Sequence, residues 1–186
     1  MKRAVIAPVA LPAAALAKLK QWLGINSTRE DALLVGLLEA ALDLCEAYTG
    51  TRPITALCEE SWPVRAGSGD GWQVLSTRPV QSISGVDAVL VSGVRTALPV
   101  EAYAIELDAD GAGRFRVLNA GPATRVVVRF SAGLANGWDK LPEPLRQGAL
   151  RLAAHHHRSR ESGNAGIAPP SAVAALWQPW RRMRLA

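Results

Sequence analysis

The sequence contains no apolar run near the roughly 18 residues that a membrane-spanning helix requires, which excludes an integral helical membrane protein. Cysteine is scarce. Cys45 and Cys58 are the only two, they lack C-x-x-C spacing, and both fall among apolar positions. That pattern points to a reduced intracellular thiol pair, with a single disulfide between them as the open alternative. Catalytic motifs are missing too: there is no G-x-x-x-x-G-K-[ST], no G-x-G-x-x-G after a strand and no G-x-S-x-G. The glycines at 67, 69 and 71 have neither a lysine nor a helix behind them, so they do not form a phosphate cradle.

What is present is apolar. Of 186 residues, 49% are hydrophobic, so the chain has enough to bury and is not a disordered, solvating protein. The length suits one domain. Met1-Lys2-Arg3 and the apolar residues after it faintly mimic a signal peptide, but Pro8 and Pro12 interrupt them, and the segment reads as mature protein. The net charge of +5 is unevenly placed: residues 1–137 carry 13 basic and 13 acidic side chains, while residues 138–186 carry 8 and 3. Whatever the positive charge does, it does from the C-terminal quarter.

Periodicity predicts a helix over about 12–23, with Leu16, Leu19 and Leu23 on one face and Gly24 as its stop. A second helix follows over about 29–49. Ser27-Thr28-Arg29-Glu30 matches a capping box, and Leu34, Leu37, Leu38, Ala41, Cys45 and Tyr48 repeat with a period of about 3.6. Leu33 and Leu44 broaden that stripe, so this helix is expected near the centre of the core, covered on more than one side. From about 55 to 132 the pattern turns β-rich, with short strands at Ala56–Trp62, Trp72–Ser76, Val80–Val91, Val94–Val100, Tyr103–Leu107, Gly113–Leu118 and Thr124–Phe130. They lie too close together for crossover helices, so the sheet should be mostly antiparallel. A last helix over about 143–161 opens on Pro142-Glu143-Pro144. Residues 163–170 read as a linker to a C-terminal tail.

Two clusters look like chemistry. In His155-His156-His157, successive residues point about 100° apart around a helix, so the three do not converge on one metal ion. The expected arrangement has His156 facing the core and its neighbours at the rim. Glu106, Asp108 and Asp110 have the rhythm of a calcium loop, but the closing glutamate is absent, and Asp110-Gly111 reads better as a hairpin turn. No spacing selects a catalytic carboxylate pair. The expectation is therefore a protein that is not an enzyme, with no catalytic residues, no metal and no cofactor.

The tail is the remaining feature. Val173, Leu176, Trp177 and Trp180 make an apolar patch followed at once by Arg181, Arg182 and Arg184. Tryptophan and arginine are the residues most enriched at protein–protein hot spots. Leu176, Trp177, Trp180, Arg181, Arg182 and Arg184 are thus the candidate partner-binding set. The alternatives are a tail that completes the chain's own core, and a nucleic-acid-binding module in which the arginines meet phosphates and the indoles stack on bases.

Read in order, the sequence resembles the head–tail connector (adaptor) proteins of long-tailed phages and gene transfer agents. The residues that carry the resemblance are Arg29-Glu30-Asp31 with Leu33-Leu34, Glu46-Ala47-Tyr48-Thr49-Gly50-Thr51, Arg78-Pro79-Val80-Gln81-Ser82-Ile83 and Val128-Arg129-Phe130-Ser131-Ala132-Gly133. Leu141-Pro142-Glu143-Pro144-Leu145-Arg146-Gln147, the Ala154-His155 pair and the Arg181-Arg182-Met183-Arg184 ending complete it. The resemblance implies an α+β connector-type fold. Two N-terminal helices and a C-terminal helix would form a helical core with an inserted β-rich part, a connector domain over 1–162 and an extended linker and portal-docking tail over 163–186. It also implies a structural subunit in the particle's neck, made in the bacterial cytoplasm. About twelve copies would form a ring under the portal protein, joined to a downstream neck or tail component, with DNA passing through unread and no membrane involved.

Overall fold

In the computed structural model, residues 2–7, 10–64, 71–160 and 168–182 are described. Contacts divide the chain into two units: Met1–Pro8 with Thr55–Gly133, and Val9–Ile54 with Leu134–Ala186. This division cuts across the boundary expected at residue 162, because segments distant in sequence fold together in each unit.

The first unit is built of antiparallel strands. A five-stranded sheet runs in the order β1 (Lys2–Ala7), β2 (Ala56–Pro63), β8 (Arg125–Ala132), β4 (Val80–Val89), β5 (Arg95–Ala97). A three-stranded sheet runs β3 (Gln73–Val74), β7 (Gly113–Val117), β6 (Tyr103–Leu107). β8 lies at the centre of the larger sheet, flanked by β2 and β4. That explains its nearly continuous apolar run, since Val126, Val127, Val128, Phe130 and Ala132 are all buried. Cys58, Leu75, Val80, Val86, Phe115, Val126, Val128, Phe130 and Ala132 form the core. Gly113 permits the close approach: a Cβ there would lie 2.8 Å from Val80 Cγ2 and 2.9 Å from Leu75 Cδ1.

Asp110-Gly111 does form the turn between β6 and β7, with Gly111 at φ +78° and the Ala112 amide donating to Asp110 Oδ1 at 3.0 Å. β1 is an addition that the sequence did not announce. Conversely, the strands expected over Trp72–Ser76 and Val94–Val100 contract to Gln73–Val74 and Arg95–Ala97. The 65–70 part of the glycine-rich loop lies outside the described residues.

The second unit is helical: α1 (Ala13–Leu23), α2 (Asp31–Thr49), α3 (Glu143–Ser159) and α4 (Ser171–Trp177). Gly24 at φ +72° and Gly50 at φ +71° end α1 and α2 in the left-handed conformation that a C-terminal stop favours. The capping box is not made. Glu30 itself sits at the N-cap with no side-chain cap bond, and its carboxylate turns instead to His157 Nε2 at 3.2 Å and Arg160 at 3.7 Å on α3.

α2 and α3 share the centre of the unit, each packing against the other and against α1 and α4, and α3 is the more deeply buried, with Leu145, Gly148, Ala149, Leu150, Leu152, Ala153 and Ala154 inside. α2 buries only the stripe Leu34, Leu38, Ala41, Cys45 and Thr49, and its opposite face, Ala32, Gly36, Glu39, Ala40, Asp43 and Ala47, is exposed. The expected cover on more than one side is thus not supplied within this unit. Both cysteines are free thiols, Cys45 in the helical unit and Cys58 in the β unit. Burial pushes the Cys45 thiol up to about 12, which keeps it protonated and inert.

Candidate partner-docking site

The C-terminal segment, expected to extend, is helical where it is described. Pro170 opens α4, whose first amide bonds return to the Pro170 carbonyl, and Gln178–Trp180 continue as a 3₁₀ turn. Seven residues are too few for a helix to persist alone, so packing must hold α4 in place. It does so through Val173 and Trp177, which is 0% exposed.

The indole of Trp177 lies over the one helical glycine of α3. A Cβ on Gly148 would overlap the ring, coming within 2.7 Å of Cε2. The Trp177 Nε1–H donates to the Leu145 carbonyl at 3.4 Å, and the Tyr48 ring packs against the indole at a tilt, with centroids 6.0 Å apart. Tyr48 continues the attachment: its hydroxyl donates to Gln178 Oε1 at 3.0 Å, and the Arg181 guanidinium lies 5.4 Å from its ring centroid. Finally the Arg182 amide donates to the Thr49 carbonyl at 3.0 Å, closing the segment onto the C-terminal end of α2.

The candidate set therefore divides. Trp177 faces inward and serves as the anchor of the segment. Leu176 and Trp180 are half-buried at its edge, and Arg181 and Arg182 are exposed beside them. Arg184 lies outside the described residues, as do residues 161–167 of the expected linker. Sequence reasoning missed the receiving residues Tyr48, Leu145 and Gly148. Only Gly148 carried a signal, as an isolated glycine inside a helical pattern, which points to close packing.

The histidines do not converge. His155 is exposed, His156 is half-buried, and His157 bonds to Glu30. Burial, with His155 adding to it, holds His156 below the ordinary imidazole value. Among the described residues no three His, Cys, Asp or Glu side chains come together as a metal site. No helix among them is long and apolar enough to cross a membrane. On the β unit, Glu59 and Asp87 hold Arg95 at 2.8 and 3.2 Å, and Arg129 at 3.4 and 3.0 Å.

A strand-built unit, a helical unit and a Trp-anchored terminal segment that presents arginines make an α+β, connector-type fold. The comparisons with known proteins agree. Residues 13–83, from α1 into β4, match the family described as phage gp6-like head-tail connector protein. Over its full length the chain is similar to a chain of the neck of an empty gene transfer agent particle, computed with C6 symmetry. The two are 27% identical with a TM-score of 0.75, over 100% of this chain and 98% of that one. A chain from the virion of a native gene transfer agent particle matches at 27% identity and TM-score 0.73, and one from a native neck computed with C12 symmetry at 26% and 0.74. Both matches cover 100% of this chain and 98% of the other. Among curated proteins, none matches the chain by sequence. Together these matches support a structural connector subunit, and the proteins matched are structural components of particles.

Proposed function

We propose that this chain is a head–tail connector subunit that assembles as a ring in the neck of a phage-type particle. There it docks on the portal protein through its C-terminal segment and meets a downstream neck or tail component on its other side. The observation that carries this reading is the similarity along the whole chain to proteins of particle necks, over both the helical and the β unit. In such a ring each subunit uses two different faces, one for each neighbour, and the contact closes by rotation.

Within the segment, Leu176, Trp180, Arg181, Arg182 and Arg184 meet the portal, while Trp177 fixes their position from inside. A half-buried indole beside exposed guanidinium groups is the chemistry that partner hot spots favour. DNA passes through the ring without being read, and the chain is made in the bacterial cytoplasm before it joins the particle.

The test is sedimentation of the purified chain with a portal ring from the same gene cluster. Cutting the chain at Pro170 would remove Trp177 from the core, so the informative variants are Trp180→Ala and Arg181→Glu. The wild type should co-sediment, and each variant should bind at least about tenfold more weakly while remaining folded. Binding unchanged in both variants would remove the segment from the docking surface.

A further inference from the structure

On the helical unit, one exposed seam is basic and aromatic. Trp22 on α1 is 46% exposed, and the Arg151 guanidinium of α3 lies 5.8 Å from its ring centroid. Lys18 precedes Trp22 by one turn, and His155 and Arg158 continue the exposed line of α3 beyond Arg151. Neither Lys18, Arg151 nor Arg158 has an ion pair among the described residues; the carboxylate at this end, Glu143, is held by Arg146 and Gln147 and also feels the Lys18 charge.

The face of opposite sign lies on α2. Its buried stripe is the one that packs in the unit, where α2 meets both α1 and α3, so its exposed face points away from their seam. Glu39 and Asp43 stand on that face with no ion pair among the described residues. Gly36 and Ala40 lie between them and the half-buried Leu33, Leu37 and Leu44, and the space above Gly36 is open.

We propose that these are the two halves of one contact between copies of this chain: the α1–α3 seam of one copy seats on the outer face of α2 of the next. Trp22 lies over the shallow surface at Gly36 and Ala40, where small side chains let an indole approach. Lys18 and Arg151 meet Glu39 and Asp43, and the half-buried leucines of α2 lose their remaining water. Two unlike, complementary faces on opposite sides of one unit are what a head-to-tail ring contact requires. Opposite charge fixes which face meets which. The inference rests on the reading of the chain as a ring subunit.

Sedimentation equilibrium over a wide concentration range tests it on the full chain, with Arg151→Glu, Asp43→Arg and the double variant. Portal co-sedimentation is read in parallel, and circular dichroism checks that each variant is folded. Each single reversal should weaken self-association more than about tenfold, since it sets like charges against each other. The double variant, or an equal mixture of the two singles, should restore it, because every contact then pairs opposite charges again.

Self-association unchanged in both single variants, or absent in the wild type, overturns the interface. The connector reading stands if the portal still co-sediments and falls with it if the portal does not. Duplex DNA serves as a second probe. Binding of DNA that Arg151→Glu abolishes while self-association is unaltered would assign the seam to nucleic acid and overturn the proposal as well.

Discussion

Replacing Trp177 by alanine tests whether the C-terminal segment is part of the helical unit's core. The indole is fully buried, so its removal forfeits about 2–3 kcal/mol of transfer free energy. It also leaves a cavity above Gly148 that the α3 backbone cannot fill, which brings the cost to about 3–5 kcal/mol. The Nε1–H bond to Leu145 and the packing against Tyr48 go with it. At roughly 2–4 °C per kcal/mol for a chain of this size, the melting temperature should fall by roughly 6–20 °C. Thermal unfolding followed by far-ultraviolet circular dichroism reads this, because the helical signal remains when the indole is gone. A variant that melts within a degree of the wild type would show that the segment is not packed as described.

Other consequences follow from the β unit. Glu60 is buried and accepts bonds from the amides and hydroxyls of both Ser76 and Thr77, at 2.6–3.1 Å. Glu60→Ala strands those donors and should cost roughly 2–3 kcal/mol in urea unfolding. Hydrogen bonding from Arg95, followed by the Arg95 charge and the Arg129 contacts, holds the Glu59 carboxyl below its ordinary range. With its folded value depressed, the stability it contributes is complete above the ordinary carboxylate range and is lost as pH falls through the folded value. The urea midpoints of wild type and Glu59→Gln should therefore differ near neutral pH and converge in acid. A constant gap would contradict the pairing.

Much of the fold was legible because it rests on local patterns. The three long helices and the strand at Tyr103–Leu107 follow from periodicity and turn residues, and the apolar run of β8 agrees with its place between β2 and β4, with Val126, Val128, Phe130 and Ala132 in the core. β1 was not legible, since Arg3 and Ala4 give it no alternation and it exists only by pairing with β2, more than fifty residues on. Nor was the failed capping box, because Glu30 turns to His157 and Arg160 on α3, more than a hundred residues away, which no local pattern reveals. The candidate site was half legible. Composition marked the tryptophans and arginines, but not that Trp177 turns inward, which depends on a glycine at 148 and a tyrosine at 48. Leu33 and Leu44 predict cover on more than one side of α2, but they are only half-buried beside an exposed face, since sequence does not reveal how far a neighbouring element reaches around a helix.

The most direct measurement of the central claim is electron microscopy of particles produced with and without this chain. The account predicts that its absence leaves DNA-filled heads and tails unjoined, and that supplying the chain restores joined particles bearing a ring at the neck. Joined, tailed particles formed in its absence would contradict it.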